Sequence, residues 1–307
     1  MTGSKEGRFV TRTAAEGREL RIPVGIITGS EPGPQITIYG GHHGTEYAGI
    51  EAVQRLYRTV DAEEVAGRIV IALLTNEQAF WNWQQFASAP DEVMDMKREL
   101  ARGSQYLIDC HGGEFSEGMC PYVICRLLGD EDLDSKAMAM AEAFGLPYIS
   151  VSQYREDLPA ESSGAPAAWW LRPKKSLADE LRIPEITPEV GQAGSRDDDS
   201  LMYDGILNVL RQIGILPGRP VRREHRPKII GERHWITATE QGIFFPEVDV
   251  CQDVAEGQRL GLLRDYFGNV LEEVISPANA KVMNMNSGMP VKKGDKHLWL
   301  AEFQSGT

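Results

Sequence analysis

The sequence predicts an α/β fold, in which a mixed and mostly parallel sheet is flanked by helices, followed by a small C-terminal domain built only of strands. Three observations lead to this prediction. Short apolar runs alternate with segments of helical periodicity along most of the chain. The apolar run at residues 68–74 is unbroken, as expected for a strand that is covered on both faces. From about residue 227 onward the chain shows short strand patterns and glycine turns without helical periodicity.

The elements of the first part follow in order along the chain. Residues 8–28 alternate apolar and polar side chains around Glu16-Gly17, which is typical of a hairpin. The β-branched run at residues 35–39 predicts a strand that stops at two glycines, and residues 47–60 space their apolar side chains as a helix does. Further strands are predicted at 68–74, 106–110, 121–127, 148–151 and 186–190, and further helices at 131–144 and 201–213.

The C-terminal part contains a degenerate internal repeat. Residues 254–260, Val-Ala-Glu-Gly-Gln-Arg-Leu, are echoed by residues 291–298, Val-Lys-Lys-Gly-Asp-Lys-His-Leu, and a hydrophobic stretch precedes each copy. Two similar β units in tandem indicate a small sandwich or barrel with internal pseudo-symmetry. We therefore predict two domains, an α/β domain at residues 1–222 and a β-rich domain at residues 223–307.

Composition excludes several classes of partner. The chain has 307 residues with 32 Lys and Arg against 45 Asp and Glu, a net charge of −13 and no basic stripe, so nucleic acid is not an expected partner. No apolar run reaches 18 residues, so we expect no membrane span, and residues 1–8 have no apolar core of a signal peptide. The four cysteines form no C-x-x-C pair, which predicts a reduced, cytoplasmic protein.

One glycine-rich segment, residues 40–46, carries the first candidate site. It reads Gly-Gly-His-His-Gly-Thr-Glu, and its His43 and Glu46 are spaced so that an imidazole and a carboxylate can bind one ion, a mixture that suits zinc. Chance supplies roughly one such H-x-x-[D/E] pair in a chain with 6 His and 45 acidic residues, and a second one is present at His111 and Glu114. The pair alone is therefore only a hypothesis.

The ends of three predicted strands strengthen that hypothesis. One strand leads to His43 and Glu46, another to Asp109 and His111, and a third to Glu189. Sites in open α/β sheets form at the carboxyl ends of strands, and two histidines with one carboxylate leave a fourth zinc position for water. Glu189 would be the general acid/base, and Asp109 would accept the other N–H of the His111 ring.

These three segments together resemble a known family. Residues 40–46, residues 107–111 (Leu-Ile-Asp-Cys-His) and residues 187–191 (Thr-Pro-Glu-Val-Gly) look like the signature segments of the succinylglutamate desuccinylase/aspartoacylase family, which is related to the zinc carboxypeptidases. The β-rich tail is similar as well, and the match runs in the right order over nearly the whole chain.

The resemblance implies a function and a set of site residues. It implies a zinc-carboxypeptidase-like catalytic domain that cleaves an amide bond, other than a peptide bond, in a small N-acylated amino acid or related compound. One Zn²⁺ per chain would be held by His43, Glu46 and His111, with Glu189 as the general acid/base. The position in the motif favours His43 over its neighbour His42 as the ligand.

The chain also departs from the family pattern. In relatives, an arginine that polarises the scissile carbonyl follows the segment that ends here at Asn76. In this chain the corresponding residues 81–85 (Trp-Asn-Trp-Gln-Gln) contain no arginine. Gln85 is the expected neutral replacement, and Asn76 is a second candidate for substrate binding. The family segment that grips the substrate carboxylate corresponds to residues 95–98, Asp-Met-Lys-Arg, so Arg98 is the expected anchor. Ten residues separate Arg98 from Asp109, which predicts a shortened connection.

Several alternatives stay open at this point. Glu114 competes with Glu46 as the carboxylate ligand, although the motif favours Glu46. The missing arginine allows a non-catalytic ligand-binding or regulatory protein on the same scaffold. A peptide-trimming metallocarboxypeptidase is the other alternative, but a weaker carboxylate grip and a tail domain that narrows the cleft disfavour it. The sequence does not determine the oligomeric state, and a homo-oligomer is one of the open alternatives.

Overall fold

The computed structural model of the protein describes residues 2–84, 89–156, 171–172, 175–191, 197–221, 226–286 and 290–304. Its strands are β1 Ser4–Thr13, β2 Glu19–Thr28, β3 Glu31–Tyr39, β4 Ala66–Ala72, β5 Tyr106–Asp109, β6 Glu117–Met119, β7 Tyr122–Leu127, β8 Tyr148–Tyr154, β9 Leu171–Arg172, β10 Glu185–Glu189, β11 Lys228–Thr237, β12 Gly242–Pro246, β13 Asp253–Val254, β14 Arg259–Arg264, β15 Val270–Ile275, β16 Ala280–Asn286, β17 Pro290–Val291 and β18 Lys296–Phe303. Its helices are α1 Tyr47–Thr59, α2 Glu77–Trp81, α3 Asp91–Ala101, α4 Glu131–Phe144, α5 Leu177–Leu181 and α6 Asp197–Gln212. Among the described residues, no helix is long and apolar enough to cross a membrane.

One large sheet forms the centre of the molecule. Its strand order is β1-β2-β4-β3-β5-β10-β7-β8-β11-β18-β16-β13, and β6 and β9 pair at its side. β3 lies parallel to both β4 and β5, and β10 lies parallel to β5. β7 runs antiparallel to β10, whereas β8 runs parallel to β7. The predicted mixed, mostly parallel sheet flanked by helices is confirmed.

The central strands are apolar on both faces because helices cover both faces. One face packs against α1, α4 and α6, and its core includes Ile38, Leu56, Ile108, Phe144 and Ile206. The other face packs against α3, where Val93, Met96 and Leu100 meet side chains of β2 and β3. Residues with unbroken apolar sequence, such as those of β4, are therefore the ones that the sheet buries most completely.

The helix α3 is a feature that the sequence analysis did not predict. We expected only a shortened connection before Asp109, but Asp91–Ala101 is an α-helix that begins directly after Pro90. Its buried face contains Val93, Met96, Lys97, Leu100 and Ala101. The lysine in the middle of this face interrupts the apolar pattern, and the helical periodicity is therefore hard to detect in the sequence.

The predicted pseudo-symmetry of the C-terminal part is present in its strand pairing. β12 pairs with β14 and β17, and β16 makes the equivalent pairs with β18 and β13. Each copy of the sequence repeat forms a short strand, a turn and a longer strand. Gly257 and Gly294 occupy corresponding turn positions, with φ of 78° and 89°. At such values an L side chain is disfavoured, which explains why glycine recurs at these two positions.

The C-terminal strands continue the large sheet. β11 pairs parallel with β8 and antiparallel with β18, and β6 from the first part pairs with β16 from the last. The predicted boundary between residues 222 and 223 lies outside the described residues. Division of the chain into these two domains stays a prediction.

The expectation of four reduced cysteines is wrong for one pair. Cys120 and Cys251 form a disulfide across 131 residues of sequence, whereas Cys110 and Cys125 are free and buried. Cys120 lies between β6 and β7, and Cys251 lies between β12 and β13, so the bond links the two parts of the chain. The spacing of the cysteines in the sequence does not predict this disulfide, because Cys120 and Cys251 come together only in the tertiary fold.

We expect Cys251→Ser to lower the free energy of unfolding by about 2–5 kcal/mol, because the cross-link closes a long loop in the unfolded chain. The measurement is urea denaturation without reductant. Reductant should reproduce the loss in the unmodified protein, and the double variant Cys120→Ser/Cys251→Ser should lose no more than the single one. Equal stability of the unmodified protein and the Cys251→Ser variant would contradict this role.

Candidate functional site

Three strand ends meet at one edge of the large sheet. Tyr39 of β3 is in register with Asp109 of β5, and Ile108 of β5 is in register with Ile186 of β10. Beyond the end of β5, the backbone N–H of His111 donates to the Pro188 carbonyl at 3.0 Å. His111 also forms a parallel bridge with Glu189. The sheet therefore places the residues that follow these strands side by side.

His43, Glu46 and His111 converge at this edge. Nδ1 of His43 lies 2.5 Å from Oε1 of Glu46, and Nδ1 of His111 lies 3.2 Å from Oε2 of the same carboxylate. The centroids of the two imidazole rings are 4.9 Å apart. Ligand atoms of the three residues all lie within 4.8 Å of one another. Two imidazole nitrogens and one carboxylate are a donor set that suits zinc with one coordination position left for solvent.

The electrostatics of these three residues favour a cation. Burial lowers the pKa of His111, but the carboxylates of Glu46 and Asp109 outweigh it and hold this pKa well above its usual value. Burial likewise opposes ionisation of Glu46, yet His111 and His43 keep its pKa below the ordinary value. Oε2 of Glu46 is buried and accepts no hydrogen bond from the described residues. A divalent ion bound between the rings would satisfy this oxygen, so the residues fit a metal.

The glycines of residues 40–46 let other chain segments approach the loop closely. A Cβ at Gly44 would lie 2.2 Å from backbone atoms of both Ala79 and Phe80, which belong to α2. Gly41 has a φ of 69°, in the left-handed region. The loop leads into α1 with Glu46 at the N-cap position. The positive end of the helix dipole therefore stabilises the Glu46 carboxylate.

Asp109 lies at the other nitrogen of the His111 ring, as the sequence analysis expected. Oδ2 of Asp109 is 3.6 Å from Nε2 of His111, so the Nδ1 atom of the ring is the one that faces Glu46. Burial raises the pKa of Asp109, but Lys97 and His111 reverse that effect and hold it well below its usual range. The role of Asp109 as the acceptor for the other N–H of a ligand imidazole stays a prediction.

Lys97 is a residue of the site that the sequence analysis did not select. Only 2% of its surface is exposed, and its Nζ lies 2.8 Å from Oδ2 of Asp109 and 3.3 Å from Nδ1 of His42. The ammonium also lies 4.4 Å from the centre of the Tyr39 ring. Burial and Lys97 lower the pKa of His42 to about 3, which leaves its ring neutral. The interrupted apolar face of α3 is the sequence signal that could have identified Lys97.

Glu114, the alternative carboxylate ligand, lies close to His43. Its side chain is 1% exposed, accepts a hydrogen bond from Thr45 Oγ1 at 2.8 Å and comes within 3.9 Å of His43 Nδ1. The backbone N–H of Glu114 donates to Glu117 at 3.2 Å. Glu46, by contrast, contacts both imidazoles. The geometry therefore favours Glu46 over Glu114 as the carboxylate ligand.

Glu189 ends β10 next to His111 in the sheet. Burial raises its pKa to about 7, and the nearby Glu46 carboxylate adds to this effect while His111 opposes it. Such a carboxyl group can both accept and release a proton near neutral pH, as general acid/base catalysis requires. Its role as the general acid/base stays a prediction.

Two of the three predicted substrate-binding residues lie in the described part of the chain, in different environments. The guanidinium of Arg98 pairs with Asp95 at 2.5 Å and with Glu180 at 2.8 Å, on the partly exposed side of α3. Asn76 is buried, and its side-chain oxygen accepts from the Ala79 N–H at 3.2 Å to cap α2. Gln85 lies outside the described residues. None of these contacts reaches the imidazoles, and the three roles stay predictions.

The chain is similar in sequence to known proteins. Residues 32–96 match the family model of the succinylglutamate desuccinylase/aspartoacylase catalytic domain. The matched range contains His43 and Glu46. Over these residues the chain is similar to the succinylglutamate desuccinylase/aspartoacylase family. The N-alpha-acetyl-L-2,4-diaminobutyric acid deacetylase of Halomonas elongata is 31% identical over 219 residues, which cover 65% of this chain and 60% of that relative. That relative is a deacetylase, and the chain spans about 60% of its length.

Solved structures share the fold over the full chain. A family member from Rhodobacter sphaeroides matches with a TM-score of 0.82 at 20% identity, covering 100% of this chain and 97% of its own. The product-bound ectoine utilization protein EutE (DoeB) from Ruegeria pomeroyi matches with a TM-score of 0.80 at 21% identity, covering 98% and 96%. At these identities the likeness establishes the fold of this chain and nothing finer.

We expect Gly44→Ala to lower the free energy of unfolding by about 1–3 kcal/mol, because the added carbon would overlap backbone atoms of α2. Thermal and chemical unfolding measure the change. Gly7→Ala is the matched control, since its added carbon would lie 3.1 Å from the hydroxyl of Tyr57 and away from this loop. A Gly44→Ala variant as stable as the control would show that the loop has more room than the structure indicates.

Proposed function

We propose that this chain is a zinc-dependent deacylase that hydrolyses the amide bond of a small N-acylated amino acid or related compound. The observation that carries the proposal is the convergence of His43, Glu46 and His111 beside the raised-pKa carboxyl group of Glu189. The deacetylase activity of the relative from Halomonas elongata supports it. A ligand-binding protein without catalysis would not need a general acid/base with a pKa near neutrality.

The proposed ligands of the metal are the Nδ1 atoms of His43 and His111 and the carboxylate of Glu46. When bound there, zinc supplies a Lewis acid for the substrate carbonyl and lowers the pKa of a water molecule. Asp109 would hold the His111 ring with Nδ1 available to the metal, and the packing of α2 against Gly44 would fix the loop that carries His43.

Glu189 would move the proton in the proposed reaction. Its carboxylate takes a proton from the attacking water while the new C–O bond forms at the acyl carbon. It then gives that proton to the amine nitrogen while the C–N bond breaks. The products are a carboxylic acid and a free amine. A pKa of about 7 suits both halves of this transfer, since neither protonation state is strongly favoured near neutral pH.

The charges around the proposed site favour one class of substrate. Glu114, Glu117 and Glu189 lie near the imidazoles, whereas the ammonium of Lys97 is already paired with Asp109. Such a surplus of carboxylates attracts a cation and repels an anionic acyl group. The relative from Halomonas elongata is a deacetylase of an N-acetylated diamino acid. We therefore infer that an N-acetylated amino acid with a second, protonated amine is the first substrate to test.

We expect Glu189→Gln to retain zinc and to lose about 10²–10⁴-fold in kcat, because an amide cannot carry the proton. Amine release from N-acetyl-2,4-diaminobutyrate and a panel of other N-acyl amino acids measures turnover, and elemental analysis measures zinc. Glu51→Gln, on the exposed side of α1, is the matched control and should keep normal turnover. Normal turnover by Glu189→Gln would be evidence against the proposed acid/base.

We expect His43→Ala to lose bound zinc and activity together, because it removes one of three proposed ligands. His234→Ala is the control, since His234 lies in a second, more exposed group with Glu232 and Glu302. Zinc content by elemental analysis should stay at one ion per chain in the control and fall well below one in His43→Ala. Loss of zinc from His234→Ala with full retention in His43→Ala would place the ion elsewhere and refute the proposed centre.

A further inference from the structure

A third imidazole lies beside the two proposed ligands. The ring centroid of His42 is 4.9 Å from that of His43 and 5.3 Å from that of His111. His42 is not a member of the group whose ligand atoms lie within 4.8 Å of one another. The proposed metal centre and Glu189 therefore leave its function unassigned.

Lys97 determines which nitrogen of the His42 ring carries a proton. An ammonium group is a donor only, and it is held here by Asp109 at 2.8 Å. The hydroxyl of Tyr39 donates to the Lys97 carbonyl at 2.6 Å, which fixes the backbone at this turn of α3. Since Nζ of Lys97 lies 3.3 Å from Nδ1 of His42, that nitrogen must be the acceptor. A neutral ring with Nδ1 as acceptor carries its proton on Nε2.

The Nε2–H group of His42 remains as a donor for a ligand. Within the ranges that the structure describes, the His42 ring makes no hydrogen bond other than the one with Lys97. The ring is partly buried and lies next to the imidazoles that would hold the ion. A substrate whose amide reaches that ion would therefore bring its carbonyl oxygen close to this donor.

We propose that His42 donates its Nε2–H to the oxygen of the scissile amide and stabilises the negative charge that develops there. This inference rests on the proposed deacylase function. A fixed neutral donor serves this purpose because it needs no reorganisation when the charge forms. Residues 81–85 contain no arginine that could do so. His42 is thus a catalytic residue, and Lys97 is the positioning residue that sets its tautomer.

The same ammonium group also acts on the second ring. Asp109 accepts from Lys97 and faces Nε2 of His111, which directs Nδ1 of His111 toward Glu46. In the neutral form of both rings the proton is therefore on Nε2, which faces Asp109 in His111 and is not the nitrogen that contacts Lys97 in His42. The lone pair on Nδ1 of His111 would then be available to the proposed ion, and the Nε2–H of His42 to a ligand.

The test uses the zinc-loaded full chain with N-acetyl-2,4-diaminobutyrate as the probe substrate. We expect His42→Ala to keep one zinc per chain, to lose about 10²–10³-fold in kcat and to change KM little. His42→Gln, which retains an N–H donor, should recover part of that loss. His234→Ala is the matched control and should keep the activity of the unmodified protein.

Nitrogen NMR of histidine-labelled protein gives a second readout that does not depend on activity. The unmodified protein should show His42 as the Nε2–H tautomer, and Lys97→Met should give a mixture of tautomers with a lower kcat. Circular dichroism establishes that each variant is folded before it is compared.

Four results would overturn the proposal, and those that leave the deacylase function intact are distinguishable from the one that refutes it. Unchanged kcat in His42→Ala, or an Nδ1–H tautomer in the unmodified protein, removes the donor while leaving the deacylase function intact. Loss of zinc from His42→Ala would make His42 a ligand instead. Full zinc occupancy with no hydrolysis of any N-acyl amino acid would refute the deacylase function, and this inference with it.

Discussion

Parallel pairing of β5 with β3 on one side and with β10 on the other is the constraint on which the rest of the site depends. The register places Tyr39 beside Asp109, and the bridge between His111 and Glu189 continues that alignment past the last residues of the strands. A slip of one residue in either pair would turn every side chain to the opposite face of the sheet. Because the interior strands are apolar on both faces, the register is fixed largely by which helix each face meets. The register of the strands therefore also fixes the positions of the side chains that follow the strand ends.

The ion pair between Lys97 and Asp109 connects this geometry to the chemistry. Burying an ammonium and a carboxylate costs several kcal/mol per ion, and their attraction offsets this only when the remaining donors and acceptors are also used. Here Asp109 also faces His111, and Lys97 also contacts His42 and the ring of Tyr39. Removing one member would leave the other buried without its counter-charge, at a cost of about 3–5 kcal/mol. An ion pair of this kind adds little net stability to the fold. It is well suited to holding the neighbouring imidazole rings in one orientation.

Much of the fold was predictable because strands and helices with regular apolar periods are also the buried ones. The strand ends that carry His43, His111 and Glu189 followed from the same patterns, and the structure brings these residues together. What escaped prediction depends on tertiary contacts. Helix α3 tolerates a lysine on its buried face because Asp109 compensates the charge of that lysine. No local sequence pattern predicts such a partner. The disulfide joins residues 131 positions apart. On α3, the adjacent side chains of Lys97 and Arg98 differ by about 100° in direction, which separates the buried residue from the exposed one.

The C-terminal strands also support the site. Nδ2 of Asn284 in β16 donates to Glu117 at 3.2 Å, and Glu117 in turn accepts from the backbone N–H of Glu114 at 3.2 Å. Glu114 accepts from Thr45, which lies between His43 and Glu46 in the sequence. A continuous path of hydrogen bonds therefore runs from the β-rich part to the glycine-rich loop, beside the pairing of β6 with β16. Buried polar groups in such a hydrogen-bond network depend on one another for their hydrogen-bond partners. The C-terminal strands are thus connected through hydrogen bonds to the loop that carries two of the candidate ligands.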